Sequence, residues 1–152
     1  MATDDLSRLT QWADGLLSSM TPAARRQLAG EMARTLRASQ AKRIRANIQP
    51  DGNPMAPRKP QPKLKKNRGR LRRKMFFKIS NTTWLKARAS EQQAVVEFVG
   101  TANRLATIHQ YGLKDRIKGR EISYPARELL GITTEEVERL EELLLAQLTK
   151  GL

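Results

Sequence analysis

The chain has 152 residues, of which 39% are hydrophobic, 5% aromatic and 29% charged, and its formal net charge is +14. This length predicts one domain with a modest core. Because aromatic residues are scarce, aliphatic helices must supply most of the apolar surface, which favours a helix-rich α+β fold over residues 1–152. The absence of cysteine excludes disulfides, thiolate metal sites and cysteine nucleophiles.

No apolar run approaches the roughly 20 residues that a membrane-spanning helix needs. The first eight residues include Asp4 and Asp5 and lack the basic start and apolar stretch of a signal peptide. We therefore expect a soluble protein that is intracellular when made.

Positive charge is the property that most constrains function. A charge of this size destabilises a compact chain by self-repulsion unless an acidic partner neutralises it. Between Arg25 and Arg88 there are twenty basic residues and two acids, Glu31 and Asp51. Nucleic acid, an anionic membrane surface and the acidic face of another subunit or protein all remain candidate partners on charge alone.

Two helices are predicted in the first third of the chain. Asp4 and Asp5 favour the start of the first, whose apolar residues recur at helical spacing: Leu6, Leu9, Ala13, Leu16 and Leu17. Thr21 is the expected N-cap of the second, with Pro22 at its first position. The second helix is predicted to reach about Ile48, with an apolar stripe and a basic opposite face that is either solvated or binds a partner.

A basic arm, defined as residues 49–70, is predicted to follow. Pro50 and the Asp51–Gly52 pair end the helix, and four further prolines favour extended geometry. Residues 58–74 contain ten bases and no acid. After the arm, residues 71–79 suggest a short helix that returns the chain to the core, although residues 75–77 could equally begin a strand.

The second half alternates strands and helices. Residues 82–89 and 93–99 predict a β-hairpin with a polar turn at residues 90–92, and residues 103–110 predict a short helix capped by Gly112. Residues 114–119 are interpreted as a charged loop. Thr133 or Thr134 is expected to cap a last helix, which has a leucine stripe and five glutamates. This acidic helix could face a basic helix or the arm of a neighbouring subunit in a closed ring.

Catalytic chemistry is not indicated by any residue cluster. His109 is the single histidine, the serines lack a nucleophile setting, and no carboxylate group has metal-ligand spacing. We expect His109 to form a hydrogen bond at a helix end. The sequence therefore predicts neither an enzyme nor a cofactor or metal site.

Nonspecific DNA binding is an open alternative, because phosphate contacts need only a high density of lysine and arginine. The basic arm provides that density. However, it lacks interleaved aromatic residues, and no sequence-specific DNA-binding motif is present.

Three blocks of sequence resemble the phage virion morphogenesis family, whose members include the S-type tail completion proteins of contractile-tailed phages. The first block is residues 39–44 leading into residues 50–58, or SQAKRI followed by PDGNPMAPR. The second is residues 108–113, IHQYGL, and the third is residues 124–131, YPARELLG. Their order and spacing, together with the length of the chain, make the combination specific.

The resemblance implies a structural protein that caps the head-proximal end of the tail and enables head–tail joining. It also implies a ring, most simply of six subunits, with no membrane partner and no small-molecule substrate. The ring is expected to contact tail tube, sheath and head-connector proteins in the virion, after assembly in the host cytoplasm. The residues expected at subunit or partner interfaces, or as their scaffold, are Arg43, Asp51, Gly52, Arg58, Lys63, Lys65, Lys66, Arg68, Arg70, His109, Tyr111, Arg127 and Glu128.

Overall fold

The computed structural model describes residues 2–58 and 75–150, apart from the side chains of Ala2 and Leu148. In these ranges the helices are α1 (Ala2–Ser18), α2 (Pro22–Arg45), α3 (Thr101–Tyr111) and α4 (Thr134–Lys150). The strands are β1 (Leu85–Ala89), β2 (Ala94–Phe98), β3 (Lys114–Ile117) and β4 (Arg120–Ser123). They form two small antiparallel sheets, β1–β2 and β3–β4, which confirms the predicted helix-rich α+β class.

The chain divides into two compact units. The first comprises Met1–Ser39, Lys86–Glu97 and Ile132–Leu152, and the second comprises Gln40–Leu85 and Phe98–Gly131.

The first unit is built on the packing of α1 against α4. Its buried apolar residues come from both helices and from α2: Leu9, Ala13, Leu28, Val137, Leu140 and Leu144. Three of these belong to the predicted leucine stripe of the last helix, which is therefore core; Leu148, the fourth member, has no described side chain. The predicted first helix and the predicted last helix are both confirmed.

Both predicted N-caps are present in the first unit. The hydroxyl of Thr21 accepts a bond from Ala24 N–H at 3.1 Å, at the start of α2. At the start of α4, Thr133 Oγ1 accepts from Glu136 N–H at 3.1 Å, and the Glu136 carboxylate accepts from Thr133 N–H at 3.4 Å. This reciprocal pair is a capping box, and it selects Thr133 rather than Thr134 as the cap.

Helix α2 ends at Arg45, three residues before the predicted boundary. Asn47 has φ +57, a left-handed conformation that a continuing α-helix does not allow. Ile48 instead forms an isolated antiparallel bridge with Pro54, closing a turn over residues 49–53. Ile48 is 38% exposed, so it does not extend the buried stripe, contrary to the prediction.

The predicted helix after the basic arm is not seen over residues 75–80, which form consecutive turns. Phe76 has φ +66, which interrupts regular helix, and Ser80 N–H donates to Phe76 O at 3.2 Å. The part of that prediction on residues 71–74 lies outside the described residues, as does most of the basic arm.

The predicted charged loop at residues 114–119 is wrong, because these residues form β3 and the turn of a second hairpin. Lys118 and Gly119 both have positive φ, at 50° and 76°. A two-residue hairpin turn with positive φ at both positions matches the twist of the strands that it joins, and Lys118 and Gly119 form such a turn. β3 and β4 pair in register from Lys114 with Ser123 to Ile117 with Arg120. The earlier hairpin, with Ser90 N–H donating to Gln93 O at 2.9 Å, forms as predicted.

Candidate functional site

The three sequence blocks meet at Arg127, in the second unit. Arg127 is 3% exposed although it is a cation, and it lies in the extended segment before α4. Its guanidinium donates from Nε to Ala56 O at 2.7 Å and from Nη2 to Pro57 O at 2.9 Å. Its Nη1 lies 3.1 Å from Nδ1 of His109. One side chain thus joins residues from all three blocks.

His109 is a buried residue of the last turn of α3, and the helix is followed by Gly112. Gly112 adopts the left-handed conformation with φ 63, and its N–H bonds back to the end of the helix, which confirms the predicted glycine cap. A Cβ at Gly112 would lie 2.8 Å from Ala126 N. The absence of a side chain therefore lets the end of α3 approach the segment that carries Arg127.

The backbone closes the same junction. Arg127 N–H donates to His109 O at 2.7 Å, so both the main chain and the side chain of Arg127 bind His109. The His109 ring also makes edge contacts with Phe76 and Tyr124, at centroid distances of 4.8 and 4.9 Å. We call this group of residues, Ala56, Pro57, Phe76, His109, Tyr124 and Arg127, the Arg127 junction.

Burial and charge fix the protonation of the junction. Desolvation first, and then the positive charge of Arg127, lower the pKa of His109 from 6.5 to about 4. Burial is also the main cause that lowers the pKa of Arg127, followed by the charge of Arg58. His109 is therefore neutral at physiological pH, and the expected hydrogen bond at the helix end is present.

Glutamine side chains hold the segment that follows Arg127. Gln110 Oε1 accepts from the N–H groups of Leu129 and Leu130, at 2.8 and 3.0 Å, and its Nε2 donates to Leu130 O at 2.9 Å. Gln49 Oε1 accepts from Glu128 N–H at 3.1 Å. Neither glutamine stands out in the sequence, because glutamine is usually exposed and has no distinctive chemistry.

Arg43 also helps to hold the segment that follows Arg127. Its Nη1 donates to Ile48 O at 3.1 Å and its Nη2 to Leu129 O at 2.7 Å, so it joins the turn that follows its own helix to the third block. Gly131 also contacts the first block, since a Cβ there would lie 2.6 Å from Pro50 Cγ. The close approach of these segments thus depends on a glycine as well as on polar side chains.

Asp51 and Gly52 form the turn beside the junction. Asp51 Oδ1 accepts from Asn53 N–H at 2.9 Å, which is a side-chain-stabilised turn, and Gly52 has φ 88. Both residues are exposed, as are Arg58, Tyr111 and Glu128. His109, Arg127 and Arg43 instead bind groups of their own chain. The remaining predicted interface residues, Lys63, Lys65, Lys66, Arg68 and Arg70, lie outside the described residues.

The junction anchors the chain on both sides of residues 59–74. Arg127 binds the carbonyls of Ala56 and Pro57 before that segment, and the His109 ring contacts Phe76 after it. The arrangement contains a cation satisfied by carbonyl oxygens and a neutral imidazole.

No group of His, Cys, Asp or Glu residues suited to a metal ion occurs in residues 2–58 and 75–150. Nor is any helix of those ranges long and apolar enough to cross a membrane.

Comparison with known proteins identifies the class. The model of the phage virion morphogenesis family matches residues 4–149, and the chain belongs to this family. A curated relative, tail completion protein S of Escherichia phage P2, is 43% identical over 150 residues, which cover 97% of this chain and 99% of the relative. No solved structure matches the chain. The resemblance read from the three blocks is thereby confirmed.

Proposed function

We propose that the chain is a structural protein of tail assembly that completes the head-proximal end of a phage tail and enables the tail to join a filled head. The observation that carries this proposal is its similarity, over nearly its full length, to a protein named for tail completion. The Arg127 junction supports it, because the residues that carry the family resemblance build a rigid support and not a reactive centre.

In this proposal the subunits form a ring, most simply of six copies to match the symmetry of the tail. The ring lies at the neck of the virion and contacts tail tube, sheath and head-connector proteins. Subunits assemble in the host cytoplasm. The role is not catalytic, because joining preformed structures requires complementary surfaces and no bond chemistry.

The Arg127 junction would fix the chain on both sides of residues 59–74, which include most of the basic arm. Pro57, before residues 59–74, is bound by Arg127, and Phe76, after them, contacts the ring of His109. Fixing these positions before assembly lowers the conformational entropy that binding must remove. The cations of the arm would then meet the acidic surface of a neighbour or of a tail or head protein from a defined base.

A nonspecific DNA-binding module is the second candidate. Its support is the run of ten bases in residues 58–74, since phosphate neutralisation needs charge density more than defined geometry. If the arm faces the channel of a ring, contact with DNA and completion of the tail are compatible.

Replacing five bases of the arm by glutamine tests both functions. The variant carries Lys63→Gln, Lys65→Gln, Lys66→Gln, Arg68→Gln and Arg70→Gln. A control with the same change in charge replaces five bases outside the arm, each exposed in the structure: Arg26, Arg34, Lys42, Lys78 and Lys150. Purified proteins are added to an extract of infected cells that lacks the native protein. Joined particles are counted by electron microscopy, and DNA retention is measured separately.

Loss of joining in the arm variant alone, with no DNA binding by the purified wild-type protein, would support the assembly role and eliminate the DNA module. Equal joining by the arm variant, the control and the wild type would remove the arm from the mechanism. If joining and salt-dependent DNA retention fall together in the arm variant, the channel-facing arrangement is supported.

A further inference from the structure

The β3–β4 hairpin presents an exposed basic surface. Its four basic residues, Lys114, Arg116, Lys118 and Arg120, are all exposed. Among the strands of residues 2–58 and 75–150, β3 and β4 pair only with each other, so no further described strand covers the outer edge of either. Because an isolated two-stranded hairpin is only marginally stable in water, this one would gain stability from a partner.

The hairpin is nevertheless held in place on its own unit. Asp115 in β3 forms an ion pair with Arg104 in α3. Tyr124 N–H donates to Leu113 O at 3.3 Å and closes the open end of the hairpin. These contacts fix its base and leave the turn at Lys118 and Gly119 exposed.

Exposed apolar side chains accompany these charges. Tyr111 ends α3 and is 70% exposed, while Leu113 before β3 and Ile117 at its end are 43% and 42% exposed. An apolar centre with a polar rim is the usual organisation of a protein interface. Phosphate binding would need the cations alone, so the apolar residues favour a protein partner over DNA.

The first unit carries a surface with the complementary properties. A groove of about 290 Å³ on α1 and α4 is lined by Arg8, Leu9, Trp12, Glu141 and Leu145. Of its three large apolar residues, Leu9 is buried, whereas Trp12 and Leu145 are 49% and 50% exposed. Three further glutamates of α4 are exposed: Glu135, Glu138 and Glu142. The groove therefore combines an apolar floor with one acidic residue, Glu141, and one basic residue, Arg8.

We propose that the β3–β4 hairpin of one copy of this chain docks on the α1–α4 groove of a second copy. Arg116 and Glu121 are cross-strand partners and share one face of the hairpin, and on this face Arg116 meets Glu141 of the groove while Glu121 meets Arg8. The two surfaces differ, so the contact is heterologous and repeats from copy to copy, as a ring requires. The inference rests on the self-association in the proposed function and names the surfaces that perform it.

Cysteine cross-linking tests the contact directly, since the native sequence has no cysteine to interfere. Arg116→Cys and Glu141→Cys are purified separately, mixed and oxidised. The matched control mixes Glu141→Cys with Arg26→Cys, an exposed position on α2. The proposal expects the disulfide between positions 116 and 141 at about ten times the control yield or more. Equal yields from the two mixtures would overturn it.

Charge exchange provides a second test that does not depend on oxidation. Arg116→Glu and Glu141→Arg should each weaken self-association about tenfold or more, because like charges then meet, and the double variant should recover it. Association is measured by sedimentation, with circular dichroism to verify folding. If the wild type assembles and neither reversal weakens it, the hairpin–groove contact is wrong while the ring stands. If the wild type remains monomeric even with tails present, the ring and the contact both fail.

Discussion

The guanidinium of Arg127 donates to Nδ1 of the buried His109 across 3.1 Å. Because arginine has no acceptor, Nδ1 must be unprotonated, and the imidazole carries its single proton on Nε2. The positive charge of Arg127 is therefore satisfied by a neutral ring and two backbone carbonyls. An arrangement of this kind positions chain segments relative to one another.

Replacing Arg127 by lysine should destabilise the second unit. A lysine keeps the charge but cannot reach Ala56 O, Pro57 O and His109 Nδ1 with one planar group. We expect a loss of about 2–4 kcal/mol in the free energy of unfolding, because buried acceptors lose their donors. Chemical denaturation measures the loss. Arg120→Lys, at an exposed position, is the control and should change stability by less than about 0.5 kcal/mol.

Stability should fall as the pH is lowered from 7 to 5. The pKa of His109 is about 4 in the folded chain and 6.5 when unfolded, so between these values the unfolded state binds the additional proton. The loss from this group is about 1–2 kcal/mol over that interval. His109→Asn keeps an acceptor near Nδ1 but does not titrate, so its stability should vary less with pH. Parallel pH profiles for the two proteins would contradict this.

Gly112→Ala should be strongly unfavourable and Gly15→Ala favourable. The first places a Cβ at φ 63 and 2.8 Å from Ala126 N, so strain and a backbone clash should cost about 2 kcal/mol or more. Gly15 lies inside α1 with nothing within 4 Å of the added atom. Alanine there should stabilise the helix by about 0.5–1 kcal/mol. Thermal unfolding of the two variants should move the midpoint in opposite directions.

Thr133→Ala should destabilise α4 by about 1 kcal/mol, since it removes the acceptor for Glu136 N–H. Thr134→Ala, one residue later and exposed, is the matched control and should be nearly neutral. Comparable losses in both variants, measured by urea denaturation, would mean that Thr133 is not the effective cap.

Periodicity predicted most of the regular elements, because the local signals agreed with tertiary packing. The stripe of Val137, Leu140 and Leu144 is buried as expected, and Thr21 with Pro22 begins α2. The β3–β4 hairpin escaped prediction since its strands are exposed and mostly charged, without the apolar alternation of a half-buried strand. Its turn signal, Lys118–Gly119, does not contain the asparagine or aspartate that would have marked it.

The candidate site could be predicted only in part. The resemblance of the three sequence blocks identified His109 and Arg127 as candidate residues. It did not predict that the two side chains are buried in contact with each other. That pairing joins residues 18 positions apart, and the Arg127 bonds to Ala56 and Pro57 span about 70. Such contacts follow from the tertiary fold, and no local pattern encodes them. The roles of Gln49 and Gln110 were not predicted for the same reason.

The most direct test is to add the purified protein to an extract of cells infected with a phage that lacks this gene product. Joined particles are counted by electron microscopy, and the added protein is located on them with a labelled antibody. The proposed function predicts that joining is restored and that label lies at the head-proximal end of the tail. Particles that join equally well without the protein, or label that never enters them, would contradict it.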